Sequence, residues 1–521
     1  MSSLSADSVG SPLHPVLRSW KNDPGRTILY GPGEEITGGQ ALETVYRLAR
    51  ALAEHGVGPD RAVALFGPVS PRMFLVAHAI QLAGGSQVEV PLNLEGPAQV
   101  RLLRECEPSL TVADPDAVET ATLRALEADR PLLTIAPAGA GEDLFALSRA
   151  QDASDFPSRA RKGSPIRVSM TGGTTGRSKP VVRSFGAPTT VPGMLGRILA
   201  KGDRPPHVLI ADRLTGMIKT VADQALASGG SVTTLPDYSA EPLLAALGGG
   251  RVTHTMVPTH VLRMLMDHPG SADTDLSGLD GFLTGGSALS PALLKHAVRR
   301  MGPIVHSCYG QTEAGNIAWL CPEDYADGDP AAMRACGRPS PGVEVQVRGP
   351  GGQVLAPGER GRVWVRTPLL MDGYLGRPEA TARVLREGWL DTEDIGFLDE
   401  GGLLTLLGRD ADAVRLGDIT VHLAEIDAHL QEHEGVADSA TFDTTDASGT
   451  VELHAAVVAR EGAHVDEEEL RALVRERLGA EHVPASIMFV AHVPHTFSHE
   501  PCLETLRAWH RDGAPSVSAL A

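Results

Sequence analysis

A mixed fold of helices and strands in at least two domains is what this sequence predicts, on three observations. The 521 residues exceed what one hydrophobic core usually organises. A helical pattern, a strand pattern and a second helical pattern follow one another between Thr37 and Ala83. The 57 glycines and 38 prolines are scattered rather than clustered, so the chain turns often and shows no low-complexity linker. No internal repeat is visible.

The first helix is expected over Thr37–Gly56, where apolar residues at 42, 45, 48, 49 and 52 share one face and Gly56 provides the stop. Arg61 to Gly67 reads as a strand and Met73 to Ala83 as the helix after it. The run from Ser169 to Lys179 then changes character. Glycines at 172, 173 and 176 let backbone N–H groups turn inward, Thr171, Thr174, Thr175 and Ser178 add hydroxyl donors, and Lys179 adds positive charge. Such a composition suits wrapping a polyphosphate. It is not a Walker A sequence: five residues on from Gly172 stands Arg177, and Lys179 comes three after Gly176, which argues against a P-loop nucleoside triphosphatase.

Two later segments supply what a site for ATP needs. Tyr309-Gly310-Gln311-Thr312-Glu313 follows the short apolar stretch 303–305 and places a hydroxyl beside a carboxylate, Thr312 for a phosphate and Glu313 for a magnesium ion. Asp394, closing the segment that opens at Gly388, and Arg409, next to Gly408, offer an acid and an arginine suited to the hydroxyls of a ribose.

Composition bounds the partners. Sixty-five acids against 46 bases give a formal charge of −19, which disfavours nucleic acid and anionic membranes. No apolar run reaches spanning length and Met1 to Pro15 has no basic segment followed by an apolar core, so a cytoplasmic protein is expected; oligomeric state leaves no mark in the sequence. Cysteines 106, 308, 321, 336 and 502 are odd in number and widely spaced, so buried thiols are expected rather than a disulfide framework or a four-cysteine zinc site. His495, His499 and Cys502 have spacing and types that bind zinc, but no fourth ligand stands out among 19 histidines.

In order and spacing, the segments at 169–179, 309–315, 388–396 and 408–412 resemble the adenylate-forming superfamily of acyl-CoA synthetases, peptide-synthetase adenylation domains and firefly luciferase. Thr284-Gly285-Gly286-Ser287 is similar to the glycine loop that packs on the adenine, and Gly337 to Glu344 and Gly373-Tyr374 to further short signatures. The resemblance implies an α/β fold: a large N-terminal domain of parallel and mixed sheets with helices over 1–408, and a small mobile α+β domain over 409–521. It implies ATP and Mg2+ as cofactors. The 171–179 loop with Lys179 would hold the β- and γ-phosphates, Thr312 the α-phosphate, Glu313 the metal, Asp394 with Arg409 the ribose, and the residues from Gly285 to Ser287 and from Tyr309 to Gln311 the rest of the nucleotide.

The departures from the family pattern concern what the nucleotide activates. Family members carry Pro-x-Thr-x-Ser-Gly-Lys near the C-terminus, whose lysine bridges the substrate carboxylate and the α-phosphate. Here the stretch reads Pro494-His-Thr-Phe-Ser-His499-Glu500, and the longer register of β-lactone synthetase relatives puts Cys502 at the lysine's place. Glutamate near a triphosphate would be repelled, so Glu500→Lys is not expected to abolish activity. The usual Thr-Gly-Asp is Thr392-Glu393-Asp394, and Asp418 stands where a glycine follows the hinge strand and lines the pantetheine tunnel of CoA ligases, which lowers CoA as the acceptor. Where relatives read aromatic-His-x-x-Gly, this chain reads Asp212-Arg213-Leu-Thr-Gly216, followed by Lys219. Asp212 there is a candidate general base for an amine and Arg213 or Lys219 a candidate anion holder, with a plain Asp212–Arg213 ion pair as the alternative.

Three functions follow. The first is an AMP-forming ligase of specialised metabolism, such as antibiotic biosynthesis, that activates a small aromatic acid and passes it to an amine, like amide bond synthetases. The second is a diazotase-like enzyme that activates nitrite for attack by an aryl amine. The third is a degenerate nucleotide-binding homologue. An acyl-CoA ligase stands behind them.

Overall fold

The computed structural model describes residues 12–90, 96–171, 179–188, 193–214, 216–417, 419–446, 448–460, 462–495 and 501–513. Gly172, Gly173, Thr174, Thr175, Gly176, Asp418, His499 and Glu500 therefore lie outside the described residues.

Local sequence sets the helix ends. Thr37 caps the helix Gly38–Glu54 through a capping box with Gln40, and Gly56 follows it at φ 81°. The expected strand forms over Ala62–Phe66. The helix after it starts earlier than its apolar pattern implied, at Pro71, because the Ser70 side chain accepts from the Met73 N–H and proline suits a first helical turn.

Two large sheets organise the N-terminal part. One has nine strands in the order Arg338–Pro339, Gly315–Leu320, Val305–Gln311, Gly281–Gly285, His254–Pro258, His207–Ala211, Ser231–Leu235, Thr27–Gly31 and Glu34–Thr37. The other has eight: Gly373–Tyr374, Pro180–Ser184, Pro165–Met170, Ser86–Glu89, Ala62–Phe66, Leu110–Ala113, Leu132–Thr134 and Glu142–Asp143. Both are parallel in their middles; the first turns antiparallel at both edges and the second at the edge formed by Pro180–Ser184 and Gly373–Tyr374, a mixed α/β arrangement. Helices Gly38–Glu54, Pro71–Leu82 and Gly216–Ala227 share one core with both sheets, packing around Val63, Leu65, Val208, Ile210 and Val232. The helix Pro71–Leu82 is buried at every position but Arg72, with Phe74 at 0% exposure, which is why its pattern is apolar almost all round rather than amphipathic. A third sheet combines Glu344–Arg348, Gly361–Arg366, Trp389–Leu398, Leu385–Arg386 and Leu404–Arg409.

A separate C-terminal domain follows. Strands Val436–Thr445, Val451–Ala459 and Ser486–Phe489 form its sheet, against the helices Leu423–Leu430, Glu467–Leu478 and Leu503–Asp512. Arg263 reaches from the large domain to Asp438 at 3.3 Å, and Arg334 to Glu432 at 2.8 Å. Before it, Arg362 ties Asp410 to Asp391, both at 2.7 Å.

Glu393, standing where the family pattern has glycine, adopts φ 62°. A left-handed backbone costs a non-glycine residue about 1–2 kcal/mol, and glycine's greater unfolded freedom returns part of that. Glu393→Gly is expected to stabilise the chain by about 0.5–1 kcal/mol, read as a raised urea midpoint.

Among the described residues no helix is long and apolar enough to cross a membrane. All five cysteines are free. Burial pushes the Cys308 and Cys336 thiols up to about 12, which makes them inert at neutral pH. The described residues hold no group of three or more metal-ligating side chains; Cys502 instead contacts Thr505 Oγ1 at 3.1 Å.

Candidate active site

Parallel strands of both large sheets end at one cavity of about 890 Å³, the place where open α/β sheets commonly bind ligands. Its wall includes Thr171, Gly285, Gly286, Ser287, Gly310, Gln311 and Thr312. Segments far apart in the chain thus meet on one surface.

The described ends of the phosphate-loop candidate are pinned together. Lys179 N–H donates to Thr171 Oγ1 at 2.9 Å, and Thr171 N–H to the Lys179 carbonyl at 3.1 Å. Lys179 Nζ sits 4.9 Å from the centroid of the Tyr374 ring. The Tyr374 hydroxyl in turn donates to Glu313 Oε1 at 2.7 Å. Glu313 Oε2 has no partner among the described residues, and the Thr312 hydroxyl has none either, although the Thr312 carbonyl accepts from Arg183 at 2.9 Å. An oriented carboxylate with one open oxygen fits a hard cation, and an open hydroxyl fits a phosphate oxygen.

The loop at 285–287 owes its shape to Thr259, whose hydroxyl donates to the carbonyls of Gly285 at 3.3 Å and Ser287 at 3.0 Å. A Cβ on Gly285 would lie 2.6 Å from the Cys308 carbonyl oxygen, so the two strands approach there only without a side chain.

Asp394 is buried beside them. Tyr309 OH donates to its Oδ2 at 2.5 Å and Gln311 Nε2 at 2.9 Å, while Arg409 Nε lies 3.9 Å from Oδ1. Burial, partly offset by these bonds and by the arginine, pushes its carboxyl up to about 6. Burial and the Asp394 charge drive the Tyr309 phenol well above its ordinary range, so it stays a donor.

The other end of the cavity is apolar, with Leu65, Val69, Met73, Met217 and Met256 in its wall, and it closes on a buried ionic group. Lys219 Nζ meets Asp223 at 2.5 Å and Gln81 at 3.3 Å, and His78 Nε2 lies 2.9 Å from Asp223. Burial opposes ionisation of Asp223 but is outweighed by Lys219 and His78, leaving its carboxyl at about 2. Asp212 adopts φ 66° and accepts from Arg213 Nε at 3.0 Å; Arg213 lines the cavity wall and Asp212 does not.

Sequence reasoning passed over Glu89, Arg167 and Arg183, all in this wall, and the bond from Tyr374 to Glu313. The charged residues stand singly in apolar strands, and that isolation was the available signal. Tyr374→Phe is expected to make pyrophosphate release need about tenfold more magnesium, because it frees the Glu313 carboxylate to turn. A magnesium titration unchanged from wild type would count against that pairing.

An α/β cavity with an open hydroxyl in its wall, and beside it an open carboxylate oxygen and a buried acid facing a partly exposed arginine, fits a nucleotide-using enzyme. Residues 16–375 match the AMP-binding enzyme family and residues 425–500 the AMP-binding enzyme C-terminal domain, and the chain belongs to this family of ATP-dependent, AMP-forming acid ligases. Among curated relatives, it is 28% identical over 523 residues to the medium/long-chain-fatty-acid–CoA ligase FadD8 of Mycobacterium tuberculosis, covering 96% of this chain and 90% of that one. It is 31% identical over 491 residues to the feruloyl-CoA synthase of an Amycolatopsis species, covering 93% and 96%. Among solved structures, the amide bond synthetase McbA from Marinactinospora thermotolerans superposes with a TM-score of 0.84 at 31% identity, covering 96% of this chain and 100% of that one.

Proposed function

We propose that this enzyme activates a small aromatic acid as its acyl-adenylate and passes the acyl group to an amine, in specialised metabolism. The observation that carries the reading is the cavity itself: one space of about 890 Å³ has both Thr312 and the apolar side chains Leu65, Val69, Met73, Met217 and Met256 in its wall. Likeness to an amide bond synthetase over nearly the whole of both chains supports the amine as acceptor.

In this reading the substrate carboxylate oxygen bonds to the α-phosphorus of ATP as the bond to pyrophosphate breaks. The amine then adds to the acyl carbon, AMP leaves with its bonding pair, and the amine proton goes to a base. Lys179 and the 171–178 segment neutralise the β- and γ-phosphates, the Thr312 hydroxyl donates to the α-phosphate, and Asp394 with Arg409 holds the ribose. Glu313 Oε2 would hold magnesium, which when bound neutralises phosphate charge. Asp212, outside the cavity wall and bonded to Arg213 Nε, is the base assigned to the amine proton and would have to turn its free oxygen toward the cavity in the complex.

A second reading keeps the nucleotide chemistry and replaces the carboxylate by nitrite, with an aryl amine attacking the activated nitrogen. It is favoured by Glu500 standing at the place of a carboxylate-bridging lysine. Pyrophosphate release with Mg-ATP separates the possibilities when measured with aryl acids plus amines, aryl acids plus CoA, and nitrite plus aryl amines. Release that needs an acid and yields amide supports the first reading; thioester formation or a response to nitrite alone overturns it. Silence in all three arms indicates a nucleotide-binding homologue without turnover.

A further inference from the structure

In a chain of formal charge −19 the cavity wall runs the other way. Among the described residues it carries Arg167, Arg183, Arg213 and Lys219 against two carboxylates, Glu89 and Asp223. Two of the four cations are committed. Lys219 is held by Asp223 and Gln81, and Arg183 donates to the carbonyls of Leu369 and Thr312.

The other two are not. Arg167 makes no hydrogen bond to any described residue: its Nε is buried without a partner, and Glu89 Oε1, itself unpartnered, stands 3.8 Å away. Arg213 donates Nε to Asp212 and leaves both terminal amino groups free of described acceptors. The Arg167 guanidinium also lies against Gly216, where a Cβ would meet three of its atoms at 2.9–3.0 Å. Gly216 opens the twelve-residue helix Gly216–Ala227. Guanidinium donors left without acceptors in a partly desolvated wall are costly, and the planar fork of each matches a planar two-oxygen anion.

We propose that Arg167 and Arg213 form the anion subsite of this cavity, holding a carboxylate or nitrite so that one oxygen faces the α-phosphate of ATP, from the large domain and in place of the missing C-terminal lysine. The inference rests on the reading of an anion activated by ATP and names the residues that hold it. Glu89 positions Arg167 through their ion pair and leaves its N–H groups for the ligand. During the step the anion's oxygen forms the new bond to phosphorus and pyrophosphate leaves with the electron pair. No proton moves, and the two guanidiniums offset the charge of the approaching anion.

Binding of acetate, benzoate and nitrite to the full-length protein, followed by ligand-observed NMR and calorimetry, tests this without turnover. At least one anion is expected to bind wild type, and to bind about tenfold more weakly to Arg167→Gln and Arg213→Gln, with Arg167→Lys between, while ATP affinity moves less than about twofold. Binding of acetate or benzoate identifies a carboxylate subsite, and binding of nitrite alone identifies the second source. If a glutamine variant does not fold, Arg167→Lys carries the comparison. No binding of any probe to wild type, equal affinity in wild type and variants, or a parallel loss of ATP affinity would overturn the proposal. Failure of the functional reading shows separately, as absence of acid- or nitrite-dependent pyrophosphate release in a protein that still binds the anion.

Discussion

Glu313→Ala is expected to lower Mg-ATP-dependent pyrophosphate release by about a hundred- to a thousandfold. The side chain presents one carboxylate oxygen fixed by Tyr374 and one open, on a loop whose neighbouring hydroxyl, Thr312, is also open. Removing it takes away the carboxylate assigned to the cation, and leaves the Tyr374 hydroxyl buried beside an empty place. Glu313→Gln keeps the shape and the bond from Tyr374 but lacks the charge, so it should fall nearly as far. Glu313→Asp shortens the reach by one methylene and should regain part of the rate at high magnesium. ATP binding measured without metal should change little in all three. A rate for Glu313→Ala within about twofold of wild type would remove Glu313 from the metal site.

The residues assigned to the nucleotide stand out in the sequence, whereas Arg167 and Arg213 do not pair there, and the difference has a physical cause. Thr171 to Lys179 and Tyr309 to Glu313 are short runs whose neighbouring residues are assigned to one ligand, and composition alone suggests that assignment. Asp394 and Arg409 became legible through their surroundings in two such runs, and they do come together across the paired strands Trp389–Leu398 and Leu404–Arg409. Arg167 has no such company. It stands between Ile166 and Val168 on an interior strand, and its partner Glu89 lies on the adjacent parallel strand, where Gln87 pairs with Arg167. Only the register of two strands distant in sequence joins them, and no local pattern encodes that register. Lys219 and Asp223 are an intermediate case: their i,i+4 spacing is visible, but His78, which completes the cluster, comes from another helix. The boundary at Pro71 was missed because a buried helix carries no amphipathic period, and its capping serine was the better signal.

Adenosine affinity is expected to fall about tenfold as pH is lowered from 7.5 to 5, and Asp394→Asn should bind weakly at every pH with that dependence gone. Adenosine is the useful probe because it carries no phosphate titrating in this range. Burial raises the Asp394 carboxyl to about 6, so acidification through that value adds a proton and removes the acceptor proposed for the ribose. Loss of stability cannot account for such a change, since the linkage has the opposite sign. With the folded pKa near 6 and the unfolded value at 3.8, the folded protein binds more protons between these limits. This group's contribution to stability is therefore present at low pH and lost as pH rises through 6, on the order of 3 kcal/mol. Affinity and thermal stability should consequently move in opposite directions between pH 7 and 5 in the wild type, as far as Asp394 governs them, and Asp394→Asn should gain stability relative to wild type at pH 7.5. Calorimetric titration with adenosine and thermal unfolding over the same pH series read both. Parallel pH slopes for wild type and Asp394→Asn would mean that the titrating group lies elsewhere and that Asp394 is not the acceptor for the ribose.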